Sequence, residues 1–480
     1  MIALNERLLV VDLDGTLIHT DMLHESALRV FRDNPFEILR TPFLLVKGKA
    51  FLKKFLASKA EFDPKTLPYN EKLLEWLKQK HIEGRRLILC TASDKSIADS
   101  IAEHLGIFDE VIASDGVSNL VGVHKAAALV QRFQHHGYDY AGNSHKDLPV
   151  WLHAHKAIVV NASSDLIKKA QDIATVERVF PKQDIGFSAW CGVLRIHQWL
   201  KNLLLFIPLI AAHDLSNGAA WTSLLLAFVA FSLCASSAYI ANDLLDLESD
   251  RRHPRKRNRP FASGLVSTWV GVLVAPLLLI VSLGVAAMVG KQFVSWLIFY
   301  FALTSAYSMV LKRLMLVDCI TLALLYTLRI IAGAAVVGHN LSFWMLAFSV
   351  FLFLSLAFVK RYAELVFQLL SDHEKIHGRG YHTTDTPLIQ TMGIVAGYSS
   401  VLVLALYLNS AAVTQLYTAP ELIWGAVPVM LFWVSWMWMK AHRGEMHDDP
   451  LVFAFKDRAS LGAGVAFAAI LVTGSVGASW

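Results

Sequence analysis

Asn242-Asp243-Leu244-Leu245-Asp246-Leu247-Glu248-Ser249-Asp250 closes a long apolar run in this 480-residue chain, and Arg251-Arg252-His253-Pro254-Arg255-Lys256-Arg257-Asn258-Arg259-Pro260 follows at once. Asn242, Asp246 and Asp250 recur every fourth residue, so on a helix they form one slowly drifting row. Acids at the edge of a bilayer are costly unless they have a partner. Carboxylates stacked beside a basic cluster suit a Mg²⁺–pyrophosphate complex, in which the metal takes oxygen ligands and the cations take phosphate charge. The competing reading, a solvated loop between helices, requires neither the spacing nor the burial.

Composition sets the frame around that stretch. Apolar residues make up 55% of the chain and the mean hydropathy is +0.46, which is high for a soluble protein. The excess is uneven. Residues 1–183 mix charge with short apolar runs, as a soluble domain does, and residues 184–480 are dominated by apolar segments. The N-terminal stretch lacks the basic, apolar and cleavage regions of a signal peptide, so the first domain is expected in the cytosol. Cys90, Cys191, Cys234 and Cys319 have no metal-like spacing and read as reduced packing residues. The net charge of +5 carries little information by itself, and no nucleic-acid partner is expected.

Nine membrane spans are expected, near 194–212, 219–241, 265–289, 292–311, 314–337, 342–360, 388–410, 420–440 and 459–479. Arg251 to Arg259, Lys312, Arg313, Lys360, Arg361, Lys375, Arg379, Lys440, Arg443, Lys456 and Arg458 fall in connections on one side, while the other side holds little beyond Lys291. The positive-inside rule puts the basic side in the cytosol of a bacterial-type inner membrane and leaves Trp480 outside.

In the first domain, Arg7–Val11, Arg86–Cys90, Glu110–Ala113 and Lys156–Val160 read as buried parallel strands, with helical patterns between them. This predicts an α/β doubly wound fold, with a helical cap inserted between Ser26 and about Pro68. Asp12-Leu13-Asp14-Gly15-Thr16 follows the first strand, at the carboxyl end where such sheets bind ligands. Two carboxylates two residues apart can hold Mg²⁺ and leave an oxygen free to attack phosphorus.

Asp12–Thr16, Thr91-Ala92-Ser93, Lys125 and Gly142-Asn143-Ser144-His145-Lys146-Asp147 together resemble the haloacid dehalogenase (HAD) phosphatase superfamily. The resemblance implies that Asp12 is the nucleophile and Asp14 the general acid/base, with Thr91 and Lys125 holding phosphoryl oxygens. It implies Mg²⁺ on Asp12, Asp14, Asn143 and Asp147. Asn143 stands where the family usually has Asp, which lowers the charge offered to the metal. A structural domain that has lost activity is the alternative.

From Leu194 onward the chain resembles the UbiA prenyltransferase superfamily, in particular its decaprenyl-phosphate phosphoribosyltransferase branch. The segments that carry this are Leu194–Asn202, Asn242–Asp250 with Arg259–Gly264, Tyr307–Lys312 and Lys360–Leu365. Aromatic prenyltransferases of the superfamily carry a second aspartate pair in a later loop. Here Lys360–Thr386 has Asp372 and Asp385 but no such pair, and offers Lys360, Arg361 and Glu364 instead. The resemblance implies Mg²⁺ on Asn242, Asp246 and Asp250, with Asp246 and Asp250 catalytic. Lys201, Arg259, Tyr307, Lys312, Lys360, Arg361 and Glu364 would bind two phosphorylated substrates, a polyprenyl phosphate and phosphoribosyl pyrophosphate. An aromatic prenyltransferase using isoprenyl diphosphate and a non-catalytic membrane scaffold are the alternatives. Asp318, an acid inside a span, is either functional or an internal partner of Lys312 or Arg313. The acids of Asp448–Arg458 are assigned no role.

Overall fold

A computed structural model describes residues 7–476 except 39, 47, 117–118, 370–378, 411–412, 414–416 and 447–448. Asp372, Lys375, Asp448 and Trp480 therefore lie outside the described residues. The chain divides into two units: Met1–Val193 with Ile240–Leu273, and Leu194–Tyr239 with Val274–Trp480.

The first unit is built on a six-stranded parallel sheet, ordered β3-β2-β1-β4-β5-β6. The strands are β1 (Leu8–Val11), β2 (Leu87–Asp94), β3 (Glu110–Ser114), β4 (Tyr138–Gly142), β5 (Lys156–Ala162) and β6 (Thr175–Pro181). Val10 pairs with Ile88 on one side and Tyr140 on the other, so the all-apolar Leu-Leu-Val-Val of β1 is central. The chain runs outward from β1 to β3 and then returns to β4, which makes β1/β4 the switch point. β4 and β6 have no continuous apolar run and were not expected as strands. In β4, Asp139 is tolerated because it forms a buried ion pair with Arg85.

The cap expected between Ser26 and Pro68 is helical. Its main members are α1 (Met22–Asp33) and α2 (Lys49–Lys59). Asp21 caps α1 by accepting from Leu23 N at 2.9 Å. The helices flanking the sheet are α3 (Glu71–Ile82), α4 (Lys95–Leu105), α5 (Val123–Phe133) and α6 (Ser164–Ile173).

Seven helices among the described residues are long and apolar enough to cross a membrane, or eight if the bent pair Phe187–Leu194 and Ile196–Ala211 is one span. They are α7 (Gly218–Leu245), α9 (Thr268–Val289), α11 (Val317–Val337), α12 (Phe343–Leu369), the span Thr383–Leu408 that contains α13 (Thr386–Leu408), the span Pro420–His442 that contains α14 (Ala426–His442), and α15 (Arg458–Val476), with the short α8 (Leu247–Arg252) after α7. The count of nine is not reached for two reasons. The first expected segment is bent by 51° at its break. The segment expected at 292–311 does form a 19-residue helix, α10 (Lys291–Met309), but Lys, Gln, Ser, Thr and Tyr dilute its apolar character.

Candidate functional site

At the carboxyl ends of β1, β2 and β4, the motif residues converge. Lys125, from the first turn of α5, donates to Asp12 Oδ1 at 2.7 Å and to Tyr140 OH at 3.0 Å. Tyr140 donates to Asp147 Oδ1 at 2.8 Å. Asp147 Oδ2 accepts from the main-chain N–H groups of Asn143 and Ser144 and from the Ser144 hydroxyl. Asp14 accepts from Ser93 Oγ at 2.6 Å, Thr91 Oγ1 at 3.4 Å and Met22 N at 2.8 Å. Gly15 has φ +74, and a Cβ there would lie 2.1 Å from Asn143 Nδ2, so only glycine lets the two loops meet.

Electrostatics set the two aspartates apart from ordinary carboxylates. Burial raises Asp12 to about 7, against the opposing pull of Lys125, and the nearby Asp147 and Asp14 add to the rise. Asp14 is also raised, by burial and by Asp21, with the Ser93 hydrogen bond opposing. Lys53 reaches in from the cap helix α2, donating to Ala92 O at 2.7 Å, and burial lowers its pKa despite Asp14. The donor set of Asp12, Asp147 and nearby amide and main-chain oxygens is hard and anionic. It fits a divalent ion such as Mg²⁺, which would relieve the repulsion between the carboxylates. Among the described residues no group of three or more His, Cys, Asp or Glu is gathered as a metal cage, so such an ion would lean on carbonyl oxygens as well.

Sequence reasoning missed Tyr140, Ser93 and Lys53 here. Ser93 was in the quoted motif but had no role. Tyr140 was hidden because β4 was not recognised. Nothing local marks Lys53, which arrives from the cap.

The acid run keeps its helical spacing through the break after Leu245. Asp246 N bonds to Asn242 O at 2.9 Å and Asp250 N to Asp246 O at 2.8 Å, so the three residues stand one turn apart in succession. Arg259 Nη1 bridges Asp250 at 2.5 Å and Asp243 at 3.2 Å. Asp243, which had no expected role, is thus part of the cluster, and Arg259 is held by carboxylates rather than standing alone. Lys256 as well as Arg259 acts on Asp250, and among the described residues the acids of this run are not gathered into a group of three or more able to hold a metal by themselves.

The second unit holds two buried polar clusters. Asp449, expected in a loop without a role, is buried. It receives Lys201 at 2.7 Å, Lys360 at 3.2 Å and Tyr326 OH at 2.9 Å. Lys201 is also backed by the Tyr326 ring, 5.4 Å from its centroid. The second cluster centres on Asp318, which is fully buried and pairs with Arg361 at 2.5 Å, Arg379 at 3.2 Å and Tyr381 OH at 2.8 Å. The partners anticipated for Asp318, Lys312 and Arg313, are not those the structure provides. Arg361 also pairs with Glu364, while Arg379 reaches Glu364 at 3.3 Å and donates to Tyr307 OH at 3.2 Å. Consecutive residues Lys360 and Arg361 thus serve different clusters. Lys312 lies on the turn Leu311–Arg313 and is in neither of the two clusters as described.

Asp449 is shared by the buried Lys201 and the half-buried Lys360. Its removal is expected to leave Lys201 buried without its ion-pair partner and to cost on the order of 3 kcal/mol. Thermal unfolding of detergent-solubilised Asp449→Ala should show a clearly lower midpoint than Asp449→Asn, which keeps the Tyr326 hydrogen bond. Equal midpoints for Asp449→Ala and the unmodified chain would contradict a buried ionic node.

Residues 203–477 match the UbiA prenyltransferase family, and residues 9–151 match the haloacid dehalogenase-like hydrolases. The chain belongs to the UbiA prenyltransferase family and carries an N-terminal haloacid dehalogenase-like domain; both are families of enzymes, and the apolar helices make it a multi-pass membrane protein. Uncharacterized protein y4nM of Sinorhizobium fredii is 38% identical over 97% of this chain and 90% of its own length. Nodulation protein NoeC of Azorhizobium caulinodans is 38% identical over 58% of this chain and 90% of its own. The decaprenyl-phosphate phosphoribosyltransferase of Mycobacterium tuberculosis is 37% identical over 36% of this chain and 58% of its own.

Proposed function

We propose that the membrane domain transfers a 5-phosphoribosyl group from phosphoribosyl pyrophosphate to a polyprenyl phosphate, and that the soluble domain removes a phosphate, in particular the 5-phosphate of that lipid-linked product. The observation that carries the reading is the acid row Asn242, Asp246 and Asp250, kept in helical register beside Arg259. Identity to decaprenyl-phosphate phosphoribosyltransferases supports the choice of donor. So does the surplus of cations in the second unit, where Lys201 and Lys360 face one carboxylate.

In transfer, a lipid phosphate oxygen attacks the anomeric carbon, the bond from that carbon to the pyrophosphate oxygen breaks, and pyrophosphate leaves with the electron pair. Asn242, Asp246 and Asp250 would hold Mg²⁺, which when bound supplies Lewis acidity toward the leaving diphosphate. Within the second unit Lys201, Lys312 and Lys360 would neutralise phosphate charge, while the fully buried Arg361 is committed to Asp318 and Glu364, and Tyr307 and Glu364 orient Arg379 and Arg361. No protein nucleophile is required, and electrostatic stabilisation does most of the work. Nine spans, with the basic loops and the N-terminal domain in the cytosol of an inner membrane, complete the proposed arrangement.

In hydrolysis, Asp12 attacks phosphorus to form an aspartyl-phosphate while Asp14, whose pKa burial raises, acts as the acid that gives a proton to the leaving alkoxide. Water then cleaves the acyl-phosphate with Asp14 as base. Lys125 keeps Asp12 oriented, and Thr91 and Ser93 hold Asp14. Asp12, Asp147, Asn143 and the Asp14 carbonyl would bind the metal of this site.

Incubation of the purified protein with labelled phosphoribosyl pyrophosphate and polyprenyl phosphate is expected to give a lipid-soluble label. Labelled isoprenyl diphosphate with an aromatic acceptor should give none. The reverse outcome would establish the aromatic prenyltransferase reading, and turnover with neither donor would leave a scaffold.

A further inference from the structure

The cap helix α1 and the acid run belong to the same unit, and their side chains interlock. Glu25, 2% exposed, receives both terminal nitrogens of Arg251, at 2.7 and 3.2 Å. The rest of the pair is also satisfied: Thr20 donates to the Glu25 carboxylate at 2.7 Å, and Arg251 Nε donates to Ala262 O at 2.9 Å. One and two turns further along α1, Arg29 and Arg32 reach Glu248 at 3.5 and 3.6 Å. Beyond the basic loop, Gly264 lies so close to His19 that a Cβ would sit 2.5 Å from the His19 Cβ, and Trp269 stacks on His24 at 5.6 Å.

These contacts bracket the acid row. Glu248 and Arg251 stand on either side of Asp250 and just beyond Asp246. Two i→i−4 bonds carry the chain through Asp246, but its φ −93 and ψ 12 depart from regular helix, so further contacts help to fix the direction of α8. A six-residue helix has little stability of its own. Exposed ion pairs would hold it weakly. The Glu25–Arg251 pair is buried, bidentate and fully hydrogen-bonded, which is the arrangement that defines a single geometry.

We propose that Glu25, a residue of the haloacid dehalogenase-like domain, is a positioning residue of the transferase: by gripping Arg251 it sets the rotation of Leu247–Arg252 and so the aim of the Asp246 and Asp250 carboxylates. This rests on the phosphoribosyl-transfer reading of the acid run. The fused domain then does more than supply a second activity, because the transferase loop is completed by a side chain from the cap.

The test uses the full-length chain in detergent, with labelled phosphoribosyl pyrophosphate, polyprenyl phosphate and a Mg²⁺ titration. Hydrolysis of p-nitrophenyl phosphate and metal-free tryptic cleavage within Arg251–Arg259 are followed in parallel. Glu25→Gln should raise the half-saturating Mg²⁺ concentration for transfer about 10-fold, as loss of a group supporting metal ligands does. It should also speed the metal-free cleavage and leave hydrolysis of the small phosphate unchanged, and Glu25→Asp should show a smaller rise. Unchanged Mg²⁺ dependence and cleavage in Glu25→Gln, with Asp246→Ala inactive, would overturn the proposal. Wild-type transfer by Asp246→Ala would instead overturn the transferase reading on which it rests. Should Glu25→Gln not fold, Arg32→Gln, on the partly exposed pair to Glu248, is expected to shift the Mg²⁺ dependence in the same direction by less. No shift there would equally reject the proposal.

Discussion

Asp246→Ala is expected to transfer phosphoribosyl at no more than about one-thousandth of the wild-type rate, a loss of roughly 4 kcal/mol of transition-state stabilisation. Asp246 is the middle member of the acid row and the residue at which α7 ends and α8 begins. Its main chain serves both neighbours, bonding to Asn242 O and accepting from Asp250 N. Alanine keeps those backbone bonds, so the substitution removes charge without removing the turn. The loss should therefore fall on kcat/KM for transfer, read as lipid-soluble label, with hydrolysis of a soluble phosphate ester preserved. Transfer at the wild-type rate would remove the acid row from the mechanism.

Asp12→Asn is expected to lower hydrolysis by at least about 10³-fold while leaving transfer intact. Asparagine matches aspartate in shape but is a far poorer nucleophile, and it gives up the ion pair with Lys125. If the soluble domain acts on the product of the membrane domain, the lipid in this variant should retain its phosphate and accumulate. Chromatography of the labelled lipid before and after treatment with an external phosphatase distinguishes the two forms. Full dephosphorylation by Asp12→Asn would exclude Asp12 as nucleophile. A silent hydrolase without accumulation would uncouple the two activities.

Much of the soluble site was legible because its chemistry is local. Asp12, Asp14 and Gly15 sit on one turn after an apolar strand, and Asp147 is bonded by residues three and four positions before it. The partner that ties Asp147 to Lys125, Tyr140, was invisible because a strand holding Asp139 does not read as a buried run. In the membrane half the apolar segments and their bounds were readable, as in Lys291–Met309, yet the count of spans is not met where polarity is mixed, as in that helix, and where the chain bends, as between Leu194 and Ile196. Asp449 illustrates the harder limit. In sequence it is one of two acids before a proline, and nothing nearby indicates that it is buried. Its partners lie 248, 123 and 89 residues away.

The sequence alone determined that a doubly wound domain precedes a set of apolar helices. It also determined that Asp12 and Asp14 share one turn and that Asn242, Asp246 and Asp250 stack at helical spacing. Hydropathy period and four-residue spacing are properties of adjacent positions, so they survive without a fold. Only the tertiary structure decided that Lys201 and Lys360 meet at Asp449, that Asp318 belongs to Arg361 and Arg379, and that Glu25 grips Arg251. A buried charge takes whichever opposite charge the packing brings within reach, and in this chain those partners are tens to hundreds of residues apart.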